Sequence, residues 1–254
     1  MHDTLCLSTL QHAHMALLLF VLLYTALWFF FAAVTRRNDL ADIAWGPGVL
    51  GACLVAYYGH YVIVLERPLY ELPFSLPLLL VALWALRLAA HITVRAYKKG
   101  KEDARYAAWR EDWGKWALIR SYFQVFLFQG ILFSIIALAP TIAILGEEML
   151  GSVPVLMELG IILWIIGFFF EAVGDWQLSH FLKKKDKGDG IMKTGLWRYT
   201  RHPNYFGEVA LWWGLWLVAL SADLAHWWTV VTPLLITYLI LKVSGIPMLE
   251  KRWE

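Results

Sequence analysis

The sequence predicts an all-α membrane protein of seven transmembrane helices, with its N-terminus outside and its C-terminus in the cytoplasm. Three observations carry that reading. Hydrophobic residues make up 60% of the chain and charged residues only 17%, against roughly 45–50% and about 25% in soluble domains. The apolar residues fall in blocks of about 20, the length that crosses a hydrocarbon core of roughly 30 Å at about 1.5 Å per residue. Basic residues collect in every second connecting segment.

The blocks place spans at Met15–Val34, Ile43–Leu65, Ser75–Arg95, Tyr122–Leu145, Val153–Val173, Tyr205–Leu220 and Leu224–Val243. Backbone groups in lipid must pair within their own segment, which selects helices. The period-two alternation of a lipid-facing barrel is absent. The first block lacks a basic leader and is long enough to span, so no cleavable signal peptide is expected. Arg36 and Arg37 follow the first span, and a basic run from Arg95 to Arg120 follows the third. Lys183, Lys184, Lys185, Lys187, Lys193, Arg198 and Arg201 follow the fifth, and Lys251 and Arg252 lie in the tail. The alternate loops carry mainly acids: Glu66 and Glu71, Glu147 and Glu148, and Asp223. The positive-inside rule then fixes the orientation. Trp109, Trp113, Trp116, Trp227 and Trp228 border spans and read as interfacial belts.

Composition excludes several classes. Cys6 and Cys53 form no spacing motif, so neither a disulfide framework nor a zinc site is expected. No Gly-x-Gly-x-x-Gly fingerprint or phosphate loop is present. The basic segments lie where topology requires them, which argues against nucleic acid. No internal repeat supports an inverted-repeat transporter. The mostly short loops imply no partner protein.

Chemistry is expected where polar groups are costly yet present. Glu171, Asp175 and Gln177 stand at the expected inner end of the fifth span, the two acids sharing one face. The stretch Gly195-Leu196-Trp197-Arg198-Tyr199-Thr200-Arg201-His202-Pro203-Asn204-Tyr205-Phe206-Gly207-Glu208 reads as a loop entering the sixth span at Pro203. Arg198, Arg201 and His202 face that helix start, which favours anions. Asn204 and Glu208 share a face within the span. Arg87, His91 and Arg95 form a basic stripe on the third span. Asp39 and Asp42 are candidate caps of the second span, and Gly46-Pro47-Gly48 would break or loosen it.

The string Asn204-Tyr205-Phe206-Gly207-Glu208 after Arg201-His202-Pro203 resembles the C-terminal hallmark of the steroid 5α-reductases and their bacterial relatives. Asp175 with Glu171 is similar to that family's acidic pair. The tail from Ser244 to Arg252, Asp42–Gly46 and Glu102–Tyr106 resemble its bacterial branch. The resemblance implies a single membrane domain over 1–254, with 15–120 mainly on the substrate side and 121–254 mainly binding cofactor. It implies NADPH held by Asp175, Asn204 and Glu208 at the nicotinamide end, with Arg95, Arg105, Arg198, Arg201 and Lys183 at the phosphates. Glu171, Tyr199, His202 and Tyr205 complete that expected cofactor set. The animal enzymes carry a Gln-Glu pair in the second span and a Tyr in the third; neither is present here. The expected donors to a substrate carbonyl are therefore His91, Asp42 and Tyr57, in that order. The expected activity is reduction of the Δ4 double bond of a 3-oxo-Δ4 steroid or similar apolar enone that enters from the bilayer, most simply in a bacterial inner membrane. The alternative is a membrane methyltransferase of the isoprenylcysteine carboxyl type, which would take S-adenosylmethionine and shares Arg201-His202-Pro203-Asn204-Tyr205.

Overall fold

The structure is a computed structural model that describes residues 2–183 and 192–243, with 2–14 described by backbone alone. Lys184, Lys185 and Lys187, and the tail motif from Ser244 to Arg252, lie outside the described residues. Among the described residues, ten α-helices run in chain order: α1 His2–Thr35, α2 Leu40–Tyr58, α3 Leu76–Lys99, α4 Ala104–Trp113, α5 Ala117–Arg120, α6 Phe128–Ile136, α7 Leu138–Leu145, α8 Pro154–Lys183, α9 Pro203–Ala222 and α10 Val231–Tyr238. Short π- and 3₁₀-turns extend several of them, and no strand occurs among the described residues. Among the described residues, seven helical runs are long and apolar enough to span a membrane, so this is a multi-pass membrane protein.

Six of those runs fall close to the expected blocks; the fourth is displaced. It runs from Ala104 to Ile136, and the chain turns at Ala137 before α7. Pro140 accounts for the break. It has no N–H for the carbonyl four residues back, that of Ile136, and its ring crowds that carbonyl. The fifth span is also longer than expected. α8 runs for 30 residues to Lys183, so Glu171 and Asp175 lie inside the helix rather than at its end.

The chain packs as two compact units, residues 1–145 and 146–254. In the first unit, α1, α2, α3 and the fourth span pack together. Gly46, Pro47 and Gly48 neither break nor loosen α2, which is continuous through them. The glycines admit neighbours instead. A β-carbon on Gly46 would lie 3.0 Å from the Ala85 carbonyl oxygen of α3, and one on Gly48 would lie 2.9 Å from the Phe133 ring. α3 starts on Ser75, whose side chain accepts from the Leu78 N–H, and stops at Gly100, whose φ of 65° suits a residue without a β-carbon.

A polar clasp ties the loop between α1 and α2 to the segment between α3 and α4. Asp39 does not cap α2 with its side chain. Its carboxylate accepts from Arg37 Nε and Nη2 at 3.1 and 2.9 Å, and from the Asp103 N–H at 3.1 Å. Glu102 accepts from the Asn38 N–H at 2.6 Å and from Arg110. Asn38 Nδ2 donates to Ser121 Oγ at 2.7 Å. Asp103 accepts from Arg105 Nε at 2.9 Å and from Lys99 Nζ at 3.0 Å. Burial opposes ionisation of Asp103, but the Arg105 N–H and guanidinium and the Lys99 ammonium outweigh it and hold the carboxyl well below its usual range.

In the second unit, α8 and α9 pack antiparallel along their lengths. Glycines recur at seven-residue intervals on both: Gly160, Gly167 and Gly174 on α8, Gly207 and Gly214 on α9. A β-carbon on Gly160 would sit 2.8 Å from the Gly214 carbonyl oxygen, and one on Gly167 would sit 2.6 Å from that of Gly207. One on Gly174 would sit 3.0 Å from the Asn204 nitrogen. Lipid supplies no hydrophobic drive between helices, so close backbone packing of this kind holds such pairs together. Trp213 Nε1 donates to Thr237 Oγ1 at 3.3 Å and links α9 to α10.

Two outcomes are expected. Gly207→Val should lower the detergent-state melting temperature, at a cost of about 1–3 kcal/mol for overpacking or more. Gly59→Ala, where a β-carbon meets nothing within 4 Å, should leave it unchanged. Because the folded-state pKa of Asp103 is depressed, its contribution is present above its unfolded value of about 3.9 and is lost as pH falls through the folded one. The melting-temperature gap between wild type and Asp103→Asn, followed from pH 6 downward, should therefore narrow as the solution turns acid.

Candidate functional site

The second unit gathers most of the expected cofactor set around the crossing of α8 and the start of α9. Gly174 lets the first turn of α9 approach α8. There Asn204 Nδ2 donates to Asp175 Oδ1 at 3.0 Å. That bond fixes the amide and leaves Asn204 Oδ1, a solvent-shielded acceptor, without a hydrogen-bond partner. Glu171 is 2% exposed and Asp175 9% exposed, so two carboxyl groups one turn apart are buried beside the carboxamide. Glu208 is half-buried one turn further along α9.

The turn before α9 is built onto α8 by local bonds. Gly195, at φ 62°, reverses the chain. The Leu196 N–H donates to Gln177 Oε1 at 3.0 Å, and Trp197 Nε1 donates to the Gly174 carbonyl at 3.1 Å. Pro203 opens α9 at its first turn, as the sequence indicates. His202 is the N-cap residue, and its ring stacks on Tyr205 with centroids 5.4 Å apart. Arg198, Tyr199, Arg201 and Lys183 are exposed. The turn therefore presents two guanidinium groups beside a helix start, an arrangement that suits an anion.

Gln177, grouped with Glu171 and Asp175 in the sequence, is the bracket that holds the turn. Trp197 is its second tether, a role the sequence did not single out. The spacing of the glycines signalled the close approach and was open to view.

The remaining expected residues belong to the first unit. Asp42 does not cap α2. Its Oδ1 accepts from the Tyr106 hydroxyl at 2.6 Å and its Oδ2 from Arg105 Nη2 at 3.2 Å. Arg105 is thereby engaged by Asp42 and Asp103, 34% of its side chain remaining exposed. Tyr57 is buried, and its hydroxyl donates to the Pro73 carbonyl. Asp42 and Tyr57 sit 15 residues apart on α2, about 22 Å along the axis, so they cannot both serve one carbonyl oxygen. His91 is half-buried in α3, one turn from half-buried Arg87 and from exposed Arg95. No cluster suited to a metal ion occurs among the described residues.

Comparison with known proteins assigns no activity. The chain is 25% identical over 194 residues to the uncharacterized protein C594.04c of Schizosaccharomyces pombe, a match that covers 68% of this chain. The chain spans about half, 55%, of that relative's length. No solved structure matches. Residues 28–254 match a family described as a protein of unknown function, DUF1295, and the chain belongs to that family.

Proposed function

We propose that this chain is a membrane-embedded reductase that takes NADPH and reduces the Δ4 double bond of a 3-oxo-Δ4 steroid or a similar apolar enone. The observation that carries the reading is the Asn204 carboxamide. Its Nδ2 is held by Asp175, and its shielded Oδ1 lacks a partner. A buried polar atom left unpaired costs about 1–3 kcal/mol, and a carboxamide oxygen can only accept. It suits a ligand that brings an N–H, as the carboxamide of nicotinamide does.

Charge supports the same ligand. Arg198 and Arg201 stand exposed beside the start of α9, with Lys183 at the end of α8. These side chains would take the nucleotide's phosphates, including the extra one of NADP. The alternation of basic loops favours a cytoplasmic position for this turn. The resemblance of the stretch from Arg201 to Glu208 to the steroid 5α-reductases points the same way.

Bound there, the nucleotide would supply a hydride to an electron-poor carbon. The remaining work falls to the chain. Asp175 holds the Asn204 amide in one orientation, and Asn204 presents its oxygen to the ligand. The packed faces of α8 and α9 exclude water from the buried carboxyl groups. A donor on the substrate side would hold the carbonyl oxygen, where charge would develop, in the manner of an oxyanion hole; His91 is the first of the expected donors.

Thermal shifts of the detergent-solubilised protein test the reading. NADPH at a hundredfold excess over its Kd should stabilise the fold by about 2.7 kcal/mol, and S-adenosylmethionine should not. Asn204→Ala should weaken NADPH binding about tenfold, and Glu208→Gln should weaken it too. A shift with S-adenosylmethionine alone would replace this reading with the methyltransferase.

A further inference from the structure

The fourth span packs one face into the first unit and leaves the other open. On the inner face, Ser121, Val125, Phe126 and Phe133 are buried. Ser121 Oγ accepts from Asn38 Nδ2, and Phe29 of α1 packs on Tyr122 and Phe126 with ring centroids 5.3 and 5.8 Å apart. On the outer face, Trp116, Ile119, Phe123, Phe128 and Ile131 are each more than half exposed. Trp116, Ile119, Arg120 and Phe123 follow the i, i+3, i+4, i+7 spacing of one helix face. A π-turn over Ser121–Leu127 carries that stripe onward. The Phe128 N–H donates to the Phe123 carbonyl five residues back, so Phe128 stands one turn beyond Phe123.

The exposed residues change character along this run. Glu111, Asp112 and Lys115 are charged, whereas the exposed residues from Trp116 to Ile131 are apolar apart from Arg120 and Gln124, one turn apart. That change marks where lipid begins. A cation just inside it is costly unless its head reaches an anion at the surface. The clasp cations Lys99, Arg105 and Arg110 already have carboxylate partners. Arg120 and Lys115 have none among the described residues. Gly114, at φ 48°, ends α4 between the acids Glu111 and Asp112 and these two cations. The Lys115 ammonium lies 5.8 Å from the centroid of the Trp116 ring, which brings it to the face that carries Arg120. Two uncompensated cations, an interfacial indole and an amide thus border an apolar stripe.

We propose that Arg120, Lys115 and Trp116 hold the headgroup of an anionic phospholipid, with its acyl chains along Phe123, Phe128 and Ile131. The Arg120 fork takes two oxygens of the phosphodiester. Lys115 supplies the second charge, and the Gln124 amide, one turn deeper, donates to an ester carbonyl of the glycerol. A choline headgroup brings a cation of its own to this pair of cations, whereas a glycerol headgroup brings none. The surface belongs to the first unit alone and stands whether or not the chain is a reductase.

The test uses the full-length protein, stripped of lipid in detergent, with dioleoyl phosphatidylglycerol and dioleoyl phosphatidylcholine as probes. Native mass spectrometry reads the lipid retained, and thermal shift reads the affinity. The wild type should prefer phosphatidylglycerol about tenfold, and Arg120→Gln should remove that preference. Arg120→Lys, which keeps the charge and loses the fork, should fall between them, and Lys115→Gln should weaken the preference in part. Lys98→Gln, at an exposed lysine outside the stripe, should leave it unchanged. Equal retention of the two lipids by the wild type would overturn the proposal. So would a preference that survives Arg120→Gln, or an equal loss in Lys98→Gln, which would mean diffuse surface charge. Glycerophosphoglycerol and inorganic phosphate carry the same anion without chains; either one stabilising the protein as well as the lipid does would make this a free-anion site and overturn the assignment. If Arg120→Gln does not fold, the wild-type preference and Lys115→Gln decide.

Discussion

Contact between the backbones of α8 and α9 is the constraint on which the second unit depends. Lipid tails are as apolar as the helices' own side chains, so the helices associate by fit rather than by escape from water. Five glycines supply that fit, in two rows with a seven-residue period. The period matches a left-handed crossing, in which the same face returns every two turns. Adding even a methyl group at Gly167 would place it 2.6 Å from the Gly207 carbonyl oxygen. The helices would have to part, and the 3.0 Å bond from Asn204 to Asp175 would not survive the separation. The buried carboxyl groups, the fixed carboxamide and the turn tethered to Gly174 all follow from the seam.

The first unit solves the same problem by charge. Individual half-exposed ion pairs contribute little, but the clasp also takes up backbone groups: the Asn38 N–H on Glu102 and the Asp103 N–H on Asp39. It therefore fixes the course of the chain as well as pairing side chains. Asp42 lies at its edge, joined to the clasp through Arg105 and to the start of the fourth span through Tyr106.

Much of this was legible in the sequence where the signal was local. Seven apolar blocks gave seven spans, and Pro203 marked the start of α9. Pro140 also marked a break, yet the apolar run across it reads as one span. Glu171 and Asp175 look like a helix end because they are charged; burial against a glycine seam lets α8 carry them in its interior. Gly46 and Gly48 look like breakers because helix propensity is local, whereas their use against Ala85 and Phe133 is tertiary. The pairings of Asp42 with Arg105 and Tyr106 join residues more than 60 positions apart, and nothing in the spacing announces them.

The length of α8 has a consequence for depth. Its 30 residues measure about 45 Å, and the 20 residues of α9 about 30 Å. Tilting a 45 Å rod into a 30 Å slab needs about 48°, beyond the roughly 0–40° seen for membrane helices. Part of α8 must therefore stand clear of the hydrocarbon. The start of α9 meets α8 at Gly174, so the nine residues of α8 beyond it form the overhang. Asn204 and Asp175 then lie at the waterline. Under the proposed function, a water-soluble nucleotide and a lipid-dissolved ketone would meet there without either crossing the boundary between the two solvents.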